Sequence, residues 1–168
     1  MIVVSDTTPV IALLKAERLD LLQKLYHTVV IPEAVYQELI VKDIYEKERG
    51  IIQNCSFLKV EKVDNRESVN RLKQLGGLDE GESEALILYE EKKADLLLID
   101  EHKGRSVAKT MSVEYIGTLG VLMIAHDKKV MTAHEVEQCL DIFLDNEIRL
   151  SRNLCNRVLK YVGLEEKF

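Results

Sequence analysis

Ile2-Val3-Val4-Ser5-Asp6 and Leu96-Leu97-Leu98-Ile99-Asp100 share one pattern, a short apolar run closed by an aspartate. An apolar run of this length, ended by a polar turn, reads as a strand buried on both faces of a parallel sheet. Ligands of such sheets gather outside the carboxyl ends of the strands. Asp6 and Asp100 are therefore expected where chemistry happens. With acidic helices nearby, they predict a carboxylate cluster that would repel itself without a divalent cation.

The rest of the chain alternates strands and helices. Pro9 suits an early helix position after the Thr7-Thr8 turn, and a helix continues through Val10–Leu14. A second helix is expected over Glu17–Leu25, and β-branched Thr28–Ile31 reads as the second strand. Pro32 ends that strand and opens a helix from about Glu33 to Lys47, with Gly50–Ser56 as a connector and Phe57–Val60 as the third strand. Arg66–Leu75 is amphipathic and stops at Gly76-Gly77. Asp79 and Glu82 form a capping-box pattern before an almost wholly apolar helix. After Leu96–Ile99 come a helix over His102–Thr110, a strand over Val113–Ile116, and a helix from Gly117 to about Asp127. Helices near Ala133–Leu144 and Ser151–Val162 finish the chain. This order predicts an α/β fold around a parallel sheet covered on both faces. One domain is expected over residues 1–168, with the helices at about 133–163 packed on it.

Composition narrows the function classes. At 168 residues and 46% hydrophobic, the chain is long enough for a substantial core. No stretch approaches the apolar length of a membrane span. The start runs straight into strand-like sequence, so no signal peptide is expected. Cys55, Cys139 and Cys155 lack C-x-x-C spacing and read as buried thiols of a reducing cytoplasm. The four histidines are scattered and form no zinc motif. A net charge of −6 argues, taken alone, against nucleic-acid binding. A metal site subtracts its carboxylates locally, however, and basic residues recur at Lys103, Arg105 and Lys109, and at Arg149, Arg152, Arg157 and Lys160.

Taken singly, each acid has an ordinary explanation. Asp6 suits a helix N-cap, Asp100 a cap for the His102–Thr110 helix, and Glu38 a solvated helix position. Glu82 serves the capping box. Glu84 lies two residues further on, about 200° around the helix, so the two do not face one site equally. The set gains force only if Asp6, Glu38, Glu82 and Asp100 converge in space.

The segments Asp6-Thr7-Thr8, Ile31-Pro32-Glu33-Ala34-Val35-Tyr36-Gln37-Glu38-Leu39, Leu78-Asp79-Glu80-Gly81-Glu82-Ser83-Glu84-Ala85, Leu98-Ile99-Asp100-Glu101 with Gly104-Arg105, and Ile116-Gly117-Thr118-Leu119-Gly120-Val121-Leu122 resemble, in order and spacing, PIN-domain ribonucleases of a prokaryotic toxin-like branch. The resemblance covers roughly residues 1 to 160. It implies a three-layer α/β/α sandwich and a metal-dependent ribonuclease. Asp6, Glu38, Glu82 and Asp100 would be its four acids, catalytic and metal-binding, and Thr7 a supporting hydroxyl. It further implies a toxin held by a small antitoxin protein, and a homodimer. The sequence departs from the family in two places. The third acid is Glu, with Glu84 as a rival to Glu82, and Glu101-His102-Lys103 stands where many members carry a further Asp. One or two ions remain open.

Carboxylates suit the hard cations Mg²⁺ or Mn²⁺, which keep several waters. The expected substrate is single-stranded or looped RNA, with Arg105 and the Arg149–Lys160 segment as candidate phosphate contacts. A rival reading is a catalytically weak PIN-like protein that binds nucleic acid or a partner protein. A haloacid-dehalogenase-like phosphatase would need a second Asp two residues after Asp6, where Thr8 stands. No G-x-G-x-x-G or Walker loop supports nucleotide binding.

Overall fold

A computed structural model describes residues 1–41 and 46–168, without the side chains of residues 46 and 47. Five strands form one sheet: β1 (Val3–Ser5), β2 (Val29–Pro32), β3 (Leu58–Glu61), β4 (Leu96–Leu98) and β5 (Tyr115–Ile116). Their order is β3-β2-β1-β4-β5, and every neighbouring pair is parallel. The described helices are α1 (Thr7–Lys15), α2 (Asp20–Tyr26), α3 (Glu33–Val41), α4 (Glu46–Gln53), α5 (Arg66–Gly76), α6 (Glu80–Lys92), α7 (His102–Thr110), α8 (Thr118–Asp127), α9 (Ala133–Asp145) and α10 (Arg152–Tyr161).

Strand side chains alternate between two cores, as a two-residue repeat requires. Val3, Val29, Ile31 and Leu98 face one core, built with Leu13, Leu22, Leu122, Phe143 and Leu159 of α1, α2, α8, α9 and α10. Val4, Val30, Leu97 and Ile99 face the other, built with Val69, Leu86, Leu88 and Ala108 of α5, α6 and α7. The result is the three-layer α/β/α sandwich. In α6 every residue from Gly81 to Leu88 is buried. That helix lies against the sheet and against α3 and α5, so it has no solvent stripe to show.

Several boundaries depart from the sequence reading. Glu17 adopts a left-handed φ of 55°, which separates α1 from α2 and delays the second helix to Asp20. The expected connector at Gly50–Ser56 is mostly helical, because α4 runs through Gln53 and buries Ile52. Gly50 is carried inside that helix, where glycine is tolerated at a cost. Residues 42–45 of the expected Glu33–Lys47 helix lie outside the described residues. Strand β5 keeps only two residues, since the Val113 N–H is drawn back to the Ala108 carbonyl at 2.9 Å.

Two glycines should respond oppositely to alanine. A Cβ on Gly104 would stand 2.4 Å from Ile99 Cδ1, within the core between α7 and β4. Gly104→Ala is expected to lose about 1–3 kcal/mol, the usual cost of overpacking. A Cβ on Gly50 meets nothing within 4 Å. Gly50→Ala is expected to gain about 0.5–1 kcal/mol from helix propensity. Urea unfolding midpoints measure both.

Candidate active site

The sheet reverses its growth at β1. The chain adds β2 and β3 on one side, then crosses back to place β4 and β5 on the other. The crevice beyond the carboxyl ends of β1 and β4 is thus the topological switch point, the usual ligand site of such sheets. Asp6 leaves β1 there, its N–H donating to the Leu98 carbonyl at 2.9 Å. A cleft of about 910 Å³ opens at this edge. Its lining includes Asp6, Glu38, Asp79, Glu82, Glu101 and Glu147, with Lys103 and Arg149 as its lysine and arginine among the described residues.

Asp6 is 4% exposed. Burial pushes its pKa from 3.8 up to about 8, and the charges of Asp79, Glu82 and Glu38 push the same way. Only the Thr7 N–H opposes them among the leading influences. Asp6 occupies the N-cap position of α1 but makes no side-chain capping bond. Its carboxylate is therefore not spent on the helix. Thr7 turns instead to α3, donating its hydroxyl to Glu38 Oε2 at 2.5 Å. That bond draws Glu38 toward the cleft wall.

The third acid comes from the start of α6. Asp79 Oδ1 accepts the Glu82 N–H at 2.8 Å, and Glu82 Oε2 accepts the Asp79 N–H at 3.1 Å. This reciprocal box fixes the first turn of α6. Glu82 is 5% exposed, and its other oxygen, Oε1, is buried without a hydrogen-bond partner among the described residues. Burial raises its pKa first, and the charges of Asp79 and Glu101 add to that. The Gly104 amide lies near enough to lower it, without a bond of normal geometry. Asp6 Oδ1 and Asp79 Oδ1 lie 3.5 and 3.6 Å from the place a Gly81 Cβ would occupy. Asp79 is thus a cleft acid as well as a cap, a role the sequence reading did not give it. The signal was present, because a capping box puts its two side chains at one helix end.

Glu84 points elsewhere. It pairs with Arg66 of α5 and accepts the Ala34 N–H of α3 at 2.9 Å. This ties α3, α5 and α6 together beside the site.

Asp100 lies near the cleft but is not among the side chains that line it. Its Oδ1 accepts the Thr118 N–H at 2.9 Å, and its Oδ2 accepts the Thr118 hydroxyl at 2.5 Å. Asp100 thereby caps α8, not the His102–Thr110 helix. The N-cap residue of α8 is Gly117, which has no side chain to offer. A Cβ there would stand 2.4 Å from Asp100 Oδ1, so the approach depends on glycine. Burial raises the Asp100 pKa, and the Thr118 bonds and Arg105 lower it. Arg105 itself stacks on Tyr115, 5.4 Å from the ring centre.

Asp6, Glu38 and Glu82 therefore share one cleft with Asp79, while Asp100 stands at the adjoining helix end. Among the described residues no group of three or more His, Cys, Asp or Glu side chains is set to hold a metal ion directly. The donor chemistry still fits a hard divalent cation. It consists of oxygen donors only, in clear excess of positive charge, with one buried carboxylate oxygen lacking a partner.

Comparison with known proteins agrees with this reading of the fold. A family model described as the PIN domain matches residues 2–164. No significant match was found among curated proteins or solved structures. PIN domains are generally nucleases that act on nucleic acids and use divalent metals. No described helix is long and apolar enough to cross a membrane. The matched span takes in all five strands and each of the four acids, and the chain belongs to the PIN-domain family.

Proposed function

We propose that the protein is an endoribonuclease that cleaves RNA phosphodiester bonds with Mg²⁺ or Mn²⁺. In this reading it is the toxin of a toxin–antitoxin pair, acting in the cytoplasm as a homodimer and held by a small antitoxin protein. The observation that carries the nuclease reading is the gathering of Asp6, Glu38, Asp79 and Glu82 in one cleft at the switch point, with Asp6 and Glu82 buried.

Asp6, Glu38 and Glu82 would hold the ion, directly or through water, and Asp100 would complete the set. A bound cation supplies an activated water, a grip on the scissile phosphate and neutralisation of charge on the leaving oxygen. Thr7 orients Glu38 through its hydroxyl. The Asp79–Glu82 box holds Glu82 at the wall of the cleft. Single-stranded RNA, whose exposed backbone can reach acids recessed in this cleft, would be the substrate.

One observation favours a second reading, a catalytically weak PIN-like binding protein. Both Asp100 oxygens are already engaged by Thr118. Cleavage assays separate the two. Asp6→Asn and Glu82→Gln are expected to abolish metal-dependent RNA cleavage with the fold retained. Asp100→Asn is expected to abolish it as well, as loss of an acid that completes the ion's set requires. Chelation should stop cleavage, and Mn²⁺ should restore it. Full activity in Asp6→Asn, or none in the wild type, rejects the proposal.

The pH dependence has a definite sign. Asp6 titrates near 3.8 when unfolded and at about 8 when folded, so folding takes up a proton between those values. Its penalty is absent below pH 4, grows as pH rises, and is complete above pH 8. Asp6→Asn imitates the protonated acid. Without metal, it is expected to melt above the wild type at pH 8 and close to it at pH 4. Mn²⁺ should raise the wild-type melting temperature more at pH 8 than at pH 5, because it binds the carboxylate form. Thermal melts across this range test both statements.

A further inference from the structure

We infer that Lys103 and Arg149 hold the two phosphates of single-stranded RNA that flank the one under attack, one from each layer of the sandwich; this rests on the ribonuclease reading above.

The first ground is their lack of partners. Several cations in this molecule have closed ion pairs, such as Arg66 with Glu80 and Glu84, Lys73 with Glu80, and Lys92 with Glu61. Lys103 and Arg149 line this acidic cleft, yet neither makes an ion pair or hydrogen bond with a described residue. Each has an acid two residues earlier in the same lining, Glu101 and Glu147. Two cations that remain open in such surroundings are available to an anionic chain.

The second ground is their placement. Lys103 lies in the first turn of α7, in the layer of α5, α6 and α7. Its ammonium nitrogen stands 3.9 Å from the place a Gly77 Cβ would occupy, at the C-terminal end of α5. Arg149 lies between α9 and α10, and its neighbours Ile148 and Leu150 pack on the opposite core. The two cations therefore bracket the acids from opposite sides of the sheet edge. A strand with its scissile phosphate over Asp6 would meet positive charge on both flanks. Arg149 offers a planar fork to a phosphate, and Lys103 a point charge. The other candidate cations sit elsewhere. Arg105 stacks on Tyr115, Lys160 pairs with Glu166, and Arg152 and Arg157 do not line the cleft.

The placement of Lys103 has a competing account, attraction of its ammonium to the negative end of α5. A salt series separates contact with RNA from a structural role. Full-length wild type, Lys103→Gln, Arg149→Gln and the double variant are compared, with Lys103→Arg and Arg149→Lys as conservative controls. Binding of a labelled oligouridylate is read by fluorescence anisotropy in Ca²⁺, with intact RNA verified on a gel.

Each neutral substitution is expected to reduce the slope of log K against log salt by about 0.7, and the double by about twice that, as loss of single phosphate contacts requires. The conservative variants should keep the wild-type slope. In Mn²⁺, KM should rise while kcat holds, and the melting-temperature response to Mn²⁺ should stay unchanged. Wild-type binding with unaltered slopes in the neutral variants overturns this assignment alone. A loss of Mn²⁺ response equal to the loss of RNA binding also overturns it. Failure of the wild type to bind RNA at any salt overturns both this assignment and the ribonuclease reading.

Discussion

The burial of acids beside one another, centred on Asp6, is the constraint around which the site is arranged. Asp6 is almost fully enclosed, and its nearest charged influences are other carboxylates. Two carboxylates in low dielectric repel by far more than they do in water. The chain resists that repulsion with geometry. Asp6 is held by the β1 ladder, Glu38 by the Thr7 hydroxyl, and Glu82 by reciprocal bonds with Asp79. The acids so held gather where the sheet topology places a ligand.

The supports of the site are themselves specific. Glu84 lies one face away from Glu82 on the same helix and does different work. It binds Arg66 and the first turn of α3, the helix that carries Glu38. Two acids two residues apart thus divide between a cleft and its scaffold, as their angular separation demands. Gly117 is a second such support. By lacking a side chain it lets Asp100 cap α8 from a distant strand end, and the helix dipole favours that negative charge.

Much of this was legible in the sequence. The strand-then-aspartate pattern placed Asp6 and Asp100 at the edge of a parallel sheet, and the capping box of α6 lies at Asp79 and Glu82 as expected. The PIN-like sandwich followed from ordered, individually weak motifs. What escaped was decided by tertiary contacts. Gly50 read as a breaker, yet burial of Ile52 carries α4 past it. Taken alone Glu38 read as solvated, and the resemblance placed it among the four acids; the Thr7 hydroxyl that holds it lies 31 residues away in sequence. Asp100 was expected among the four acids, with a cap on the helix that follows it as its ordinary explanation, and only the fold brings Thr118 within reach. The Arg149–Lys160 segment read as one basic stretch, whereas the fold puts Arg149 in the cleft lining and leaves Arg152, Arg157 and Lys160 out of it.

Glu82 shows how structure and chemistry share one side chain. Its Oε2 completes the helix cap, an interaction that persists with or without a ligand. Its Oε1 is buried without a partner among the described residues, which normally costs more than a lost surface contact. A glutamine at this position would keep a capping oxygen and remove the buried charge, so the cap alone does not call for a carboxylate. Nor does burial, which disfavours one. A carboxylic acid whose pKa burial raises can hold a proton at that oxygen or accept a positive group there. The same reasoning extends to Asp6, whose charge serves no helix cap and no ion pair within the described chain. Such charges persist where a function draws on them, since stability alone selects against them.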